Sequence, residues 1–142
     1  MKYLGLLLIS LTLFCNCNST NTATSKNTGT KNQVEPDGTY VVTSLYGKDV
    51  SEHNLTIVIS PENNTMSGFS GCNTYSCNYT TEGENFSAGY PMASKRYCEK
   101  TAGIEKDFFK ALSELKTKNL KDPMLTFKNE SEKEIIVAKK SK

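Results

Sequence analysis

The pattern of apolar and polar side chains divides this chain into three regions. Residues 4–14 are almost continuously apolar, whereas residues 18–36 are dominated by Asn, Ser, Thr and Lys. From residue 37 onward, short runs rich in Val, Ile, Tyr and Thr alternate with turn-forming Gly, Pro, Asn and Asp, which is typical of strands joined by turns. The pattern therefore predicts a leader at 1–16, a linker at 17–36 and one folded domain at 37–142.

The alternating runs of the domain predict seven short strands. Polar turn signals separate them, as at residues 61–64 and 81–84. The predicted strands are Thr39–Leu45, Leu55–Ile59, Thr65–Ser70, Tyr75–Thr80, Asn85–Ala88, Met124–Phe127 and Glu134–Val137.

One segment between these strands has helical spacing instead. Its apolar stripe consists of Ile104, Phe108, Leu112 and Leu115. This spacing predicts an amphipathic helix from about Ala102 to Lys116, with Thr101 as its N-cap. Several short strands around one helix predict an α+β fold: a curved, mainly antiparallel sheet, partly barrel-like, packed with that helix.

The leader has the architecture of an export signal peptide, with basic Lys2 followed by an apolar run. The run is too short to span a bilayer, which needs ~20 helical residues. A lipoprotein signal ends just before a cysteine that becomes acylated, and the residue before that cysteine is normally small. Phe14 fits this position worse than Asn16, so we expect lipidation at Cys17, with Cys15 as the alternative site. Secretion without a lipid is the other alternative.

The linker carries one sizeable apolar residue, Val34. A segment that buries so little surface does not offset its conformational entropy, so we expect a disordered coil. A coil of ~18 residues reaches on the order of 25 Å. The expected protein is therefore held near a membrane by its lipid anchor, at the outer membrane or in the periplasm.

The charge of the chain is close to balanced. Removing residues 1–16 takes away one lysine from a chain of formal net charge +2 and leaves +1. Nucleic-acid affinity depends on clustered neutralisation of phosphates, so a nucleic-acid partner is not expected. The basic residues at the C-terminus, Lys133, Lys139, Lys140 and Lys142, are expected to form a frayed, solvated tail.

The predicted domain contains Cys72, Cys77 and Cys98. Export places them in an oxidising compartment, where a disulfide is expected, and one thiol is left over whichever two pair. A Cys72–Cys98 bond closes a loop of about 27 residues and contributes ~3 kcal/mol. A Cys72–Cys77 bond requires the chain to turn back between them. Three thiols and the lone His53 lack the ligand spacing of a zinc site, so no metal is predicted.

The residues suggest no catalytic arrangement. A nucleophilic cysteine needs a base, and the lone His53 lies in a polar stretch where we expect a solvated loop residue. Gly-rich phosphate loops and Gly-x-Ser-x-Gly motifs are missing from the sequence. Four tyrosines near the cysteines are expected to be half-buried strand residues: Tyr75, Tyr79, Tyr90 and Tyr97. The sequence therefore predicts neither an enzyme nor a cofactor.

Residues 67–115 contain several short elements in a distinctive order. They are Gly71-Cys72-Asn73, Tyr75, the Ser-x-x-x-Cys segment from Ser94 to Cys98, and the Glu-x-x-Phe-x-x-x-Leu stretch from Glu105 to Leu112. Together with the first predicted strand, these elements resemble the META domain (HslJ-like) family of bacterial envelope lipoproteins. The resemblance covers essentially the whole predicted domain.

The resemblance carries several implications. It implies a pairing of Cys72 with Cys98, with Cys77 as the odd thiol at a position where the family usually has a bend-forming or close-packed glycine. It also implies an envelope location, often with a lipid anchor, an association with stress tolerance, and no established enzymatic activity.

Three functional hypotheses follow. The first is a non-catalytic envelope module that binds a partner or small ligand, or supports structure, in a stress-related role. The second is an exported inhibitor of hydrolases, because small stapled scaffolds are used in this way. The third is a thiol redox protein using Cys77, which requires an exposed thiol with a depressed pKa.

Overall fold

The computed structural model describes residues 34–142. The predicted signal peptide, the lipidation candidates Cys15 and Cys17, and the linker up to residue 33 lie outside the described residues. Within 34–142, no helix is long and apolar enough to cross a membrane. Residues 34–37 lead without regular secondary structure into the first strand.

The domain contains ten strands and one α-helix, together with a short 3-10 turn. The strands are β1 (Gly38–Leu45), β2 (Lys48–Asp49), β3 (Thr56–Ser60), β4 (Thr65–Phe69), β5 (Thr74–Glu82), β6 (Asn85–Ala88), β7 (Met92–Ala93), β8 (Thr117–Lys121), β9 (Met124–Lys128) and β10 (Glu134–Lys140). The helix α1 spans Ala102–Ser113, and the 3-10 turn spans Ser51–His53. All seven predicted strands are present.

Eight of the strands close into a ring in the order β1-β3-β4-β5-β6-β8-β9-β10, because β10 pairs with both β9 and β1. Every pairing is antiparallel, and the small strands β2 and β7 add to β1 and β5. The predicted α+β fold with a curved, barrel-like antiparallel sheet and one helix is confirmed. Ring closure leaves the eight strands without free edges, apart from their short seams.

The least-paired seam of the ring lies between β6 and β8, which share one registered pair, Asn85 with Thr117. Lys118 is buried beside this seam, and its Nζ donates to the Gly83 carbonyl at 2.7 Å. The same Nζ lies 2.7 Å from Oε2 of Glu35. An ion pair from the entering chain therefore bridges the seam.

The sequence pattern does not predict β8. Its residues are Thr-Lys-Asn-Leu-Lys, and Leu120 is the one apolar side chain among them. Lys118 occupies a buried position that an apolar residue usually fills. The apolar–polar alternation typical of a strand is therefore not visible in the sequence of β8. The two-residue strands β2 and β7 are also too short to show a pattern.

The expectation of a frayed C-terminal tail is wrong for Lys139 and Lys140. Both belong to β10 and pair with Val41 and Tyr40 of β1. The Lys140 ammonium lies 6.0 Å from the centre of the Tyr40 ring. Backbone pairing places these lysines in the sheet while their side chains remain exposed, so a basic run here is part of a strand.

Aromatic rings fill much of the interior. The Tyr79 and Phe86 rings stack with centroids 4.8 Å apart, and Phe86 lies 5.0 Å from Phe127. Phe86 and Phe127 are 1% and 0% exposed. Each fully buried side chain of this size stabilises the fold by ~1.5–3 kcal/mol.

The predicted amphipathic helix is confirmed and begins at Ala102. It ends at Ser113, earlier than predicted, because Glu114 leaves the helical geometry and the chain turns toward β8. Phe108, Ala111 and Leu112 form the buried face. Thr101 occupies the N-cap position, but its hydroxyl makes no capping hydrogen bond.

Gly68 in β4 lies against the backbone of β3, and this contact generates a prediction. A Cβ at Gly68 would lie 2.1 Å from the Thr56 carbonyl oxygen, whereas a Cβ at Gly103 in α1 would meet open space. We expect Gly68→Ala to lower the free energy of unfolding by ~2 kcal/mol or more, because the two strands must separate. The control Gly103→Ala should raise it by up to ~1 kcal/mol. Urea unfolding measures both, and equal effects would contradict the close strand approach.

Candidate functional site

Asn73 lies between β4 and β5, and its buried side chain is the centre of a polar cluster. Its Nδ2 donates to both Glu105 carboxylate oxygens at 3.0 Å and to the Arg96 carbonyl at 3.1 Å. Its Oδ1 accepts from the Ser94 hydroxyl at 2.8 Å and the Arg96 backbone N–H at 2.9 Å. The amide is therefore fully hydrogen-bonded by protein groups.

Glu105 connects this cluster to the first turn of α1. Besides the Asn73 side chain, its Oε1 accepts from the Asn73 backbone N–H at 3.2 Å and from the Ser70 hydroxyl. Ser70 is fully buried, and its hydroxyl also contacts the Asn73 carbonyl. One carboxylate thus attaches the helix to the β4–β5 turn.

A disulfide joins Cys72 to Cys98, with their Cα atoms 5.9 Å apart. This is the pairing that the family resemblance implies. Arg96 reinforces it, because its Nη2 donates to the Cys72 carbonyl at 2.8 Å. The disulfide and the Asn73 hydrogen bonds hold the segment from Ser94 to Cys98 against the start of β5.

The remaining residues of the family motif also have structural contacts. Gly71 has φ +96°, and a Cβ there would lie 3.2 Å from Leu55, so glycine suits both the conformation and the space. Tyr75 is buried in β5, where its hydroxyl donates to the Thr56 carbonyl at 3.1 Å. Its ring meets Phe108 edge-on at 5.4 Å. The motif therefore binds helix, turn and sheet together.

Cys77 is a free thiol in the middle of β5, paired in register with Met66 of β4. β5 continues through this position in unbroken register with β4, so the tight bend that a family glycine would serve is not present here. The residue is 6% exposed. Burial raises the pKa of the Cys77 thiol, which disfavours the reactive thiolate.

His53 lies at the end of the 3-10 turn, and its Nε2 is 3.6 Å from a carboxylate oxygen of Glu52. Its side chain is 27% exposed. Within residues 34–142, no cluster of three or more His, Cys, Asp or Glu is arranged to hold a metal ion.

An open groove of about 980 Å³ lies between residues 88–95 and one face of α1. The helix contributes Phe109, Lys110 and Ser113 to its lining. Phe109 also meets the Tyr75 ring edge-on at 5.8 Å, and the groove residue Ser94 bonds Asn73. The groove is therefore built directly on the structure that the family motif holds together.

The groove segment exposes large apolar side chains. Tyr90 is 93% exposed, Met92 is 76% exposed, and nearby Tyr97 is 83% exposed. Among the described residues, Val34 is the one other large apolar side chain so exposed. The expectation of half-buried tyrosines is therefore wrong in both directions, since Tyr90 and Tyr97 project into solvent while Tyr75 and Tyr79 are 3% and 5% exposed.

The segment that carries these side chains is fixed to the barrel. The Gly89 N–H donates to the Asn78 carbonyl at 2.8 Å, and the Ser94 N–H donates to the Thr74 carbonyl at 3.1 Å. Between them, β7 pairs with β5. The sequence did not predict this surface, because the residue type alone does not tell whether a tyrosine is exposed or is buried in a strand. The one available signal is Gly89-Tyr90-Pro91-Met92, an apolar run outside every predicted element.

The Asn73 cluster predicts a large stability effect from a small substitution. Asn73→Ala leaves the Glu105 carboxylate and the Arg96 carbonyl without this buried donor, so we expect the free energy of unfolding to fall by ~2–4 kcal/mol. Asn119→Ala, at an exposed position of β8, is the matched control and should change it by less than ~0.5 kcal/mol. Urea unfolding compares the variants, and a mild effect at Asn73 would argue against its central role.

Comparisons with known proteins agree with this architecture. A DUF4847 family protein from Bacteroides vulgatus has a similar structure at 13% identity, with a TM-score of 0.56 over 75% of this chain and 94% of that chain. A Burkholderia xenovorans protein solved by NMR is similar at 18% identity, with a TM-score of 0.57 over 77% and 93%. These likenesses concern the fold alone, and no curated protein matches the chain. The META domain family model matches residues 32–142, and the chain belongs to the META domain family.

Proposed function

We propose that this protein is an exported, lipid-anchored, non-catalytic module of the bacterial cell envelope that acts by binding or structural support in a stress-related role. The observation that carries the proposal is how the family motif is used. Asn73, Ser94 and Glu105 direct their polar groups at one another, and Cys72 and Cys98 are joined in a disulfide. A motif whose polar side chains hydrogen-bond to one another supports a role as a rigid scaffold.

The state of the cysteines supports a non-catalytic role. Thiol chemistry requires an accessible thiolate, usually with a depressed pKa. Cys77 has the opposite properties, because it is buried among core residues and its pKa is raised by that burial. The alternative of a redox protein based on Cys77 therefore lacks physical support.

The lipid anchor is supported by the sequence. A signal peptide directly followed by cysteine, and then by a polar linker, is the arrangement that keeps a folded domain beside a membrane. The multiple acyl chains of a bacterial lipoprotein supply the two or more signals that stable anchoring needs. The stress-related role and the location, at the outer membrane or in the periplasm, rest on the family resemblance.

The thiol prediction concerns reactivity. At neutral pH we expect iodoacetamide to modify Cys77 far more slowly than it modifies a free cysteine, since burial both blocks access and lowers the thiolate fraction. In urea the rate should rise to that of an unfolded chain. Mass spectrometry of the alkylated protein measures both rates. Fast alkylation of Cys77 in the folded protein would instead favour the redox alternative.

The anchoring prediction concerns residue 17. We expect mass spectrometry of the membrane fraction to find a mature N-terminal cysteine carrying acyl chains, with Cys17→Ala releasing the protein into the soluble fraction. Cys15→Ala is the matched control and should leave the protein attached to the membrane. A soluble, unmodified mature chain would refute the anchor. Release of the protein by Cys15→Ala alone would show that Cys15 is the lipidated residue.

A further inference from the structure

The groove face combines exposed apolar groups with a rigid support. Tyr90, between β6 and β7, and Met92, in β7, are exposed, and Phe109 lines the same groove. Exposed apolar side chains grouped in this way cost free energy in water and mark a surface that contacts something else. Because the segment is attached at Gly89 and Ser94, it needs no rearrangement to present these groups.

The charges around the groove are mainly basic. Lys95 and Lys110 are the charged residues among those that line it in the described part of the chain, and both are cationic. Arg96 and Lys100 follow in the same exposed segment, against the single acid Glu99. The nearest partner of Lys110 is Glu114 at 3.9 Å, a weak one-turn pair on the helix. Aromatic and basic side chains side by side suit an interface with anionic headgroups.

The length of chain before the domain limits how far the groove can lie from the proposed anchor. Seventeen residue steps separate Cys17 from Val34, so even a fully extended segment places the domain within about 60 Å of its anchor. A domain of this size has a radius of gyration of about 13 Å. In a protein anchored at Cys17, the bilayer is therefore always at high effective concentration next to the domain, and a weak contact is sufficient to orient it.

We propose that the groove face docks the domain onto an anionic phospholipid bilayer, with Tyr90 and Met92 entering the interface and Lys95 and Lys110 meeting the headgroups. The proposal rests on the lipid anchoring put forward above, and it names the partner of the groove. In the anchored protein, this contact turns the groove toward the membrane and β10, the strand across the ring from β5, away from it.

The test uses the mature chain from residue 17 with Cys17→Ser, so that binding owes nothing to an acyl chain. The probes are phosphatidylcholine vesicles with and without phosphatidylglycerol. We expect sedimentation with the mixed vesicles, little with phosphatidylcholine alone, and weaker binding as salt screens the lysines. Lys95→Gln should weaken binding about fivefold, and Tyr90→Ser with Met92→Ser about tenfold. Lys139→Gln in β10, on the far side of the ring, should have no effect.

A fluorescence measurement locates the contact. The chain contains no tryptophan, so Tyr90→Trp introduces a single reporter in the groove and Lys139→Trp a control in β10. We expect mixed vesicles to shift the emission of the first variant to the blue and to leave the second unchanged. Both sites are exposed, and circular dichroism checks that both variants fold.

The outcomes separate this inference from the proposed function. Failure to bind mixed vesicles, or binding that the groove variants leave intact, overturns the docking surface even if acylation of Cys17 is found. Groove-dependent binding without acylation in cells supports the surface while refuting the anchor. Inhibition of a protease or lysozyme that Tyr90→Ser abolishes, without vesicle binding, assigns the groove to a protein partner and also overturns the inference.

Discussion

The contact between the Asn73 amide and the Glu105 carboxylate is the interaction on which the rest of this domain depends. Together with the other hydrogen bonds of Asn73, it joins three parts of the chain: the turn before β5, the start of α1, and the irregular segment that follows β7. Because Asn73 is buried, each of its hydrogen bonds forms where water is excluded, and an unpaired partner is costly there. The disulfide between Cys72 and Cys98 fastens the same junction covalently. The groove surface is positioned by this junction.

Much of the fold follows from the sequence because its main signals are periodic. The helix is recognisable from Phe108 and Leu112, and seven strands from alternation and turn residues. The strand β8 is not, because the inward Lys118 is stabilised by a residue far away in the sequence, Glu35. Periodicity reports local burial and carries no information about a distant ion partner.

Of the candidate site, too, one part could be predicted from the sequence and another could not. The motif around Asn73 is recognisable by resemblance, although its role as an internal fastening depends on hydrogen bonds that only the folded chain reveals. The groove escapes sequence reasoning, because Tyr75 and Tyr90 are the same residue type with opposite exposure, 3% and 93%. Which tyrosine faces water is decided by the path of the chain after Gly89, whose close approach to Asn78 places the following residues outside the barrel.

The ion pair between Glu35 and Lys118 has a mechanical consequence. Glu35 belongs to the segment through which the domain is attached to everything before it, and its partner lies at the seam where the ring has least backbone pairing. A pull along the N-terminal segment therefore acts first on this pair, before any strand is loaded. Lys118 is buried, so separating the pair would leave its ammonium without a counter-ion, and the pair therefore resists such a pull. The first residues of the domain are thus fastened to the ring at the seam where its backbone pairing is weakest.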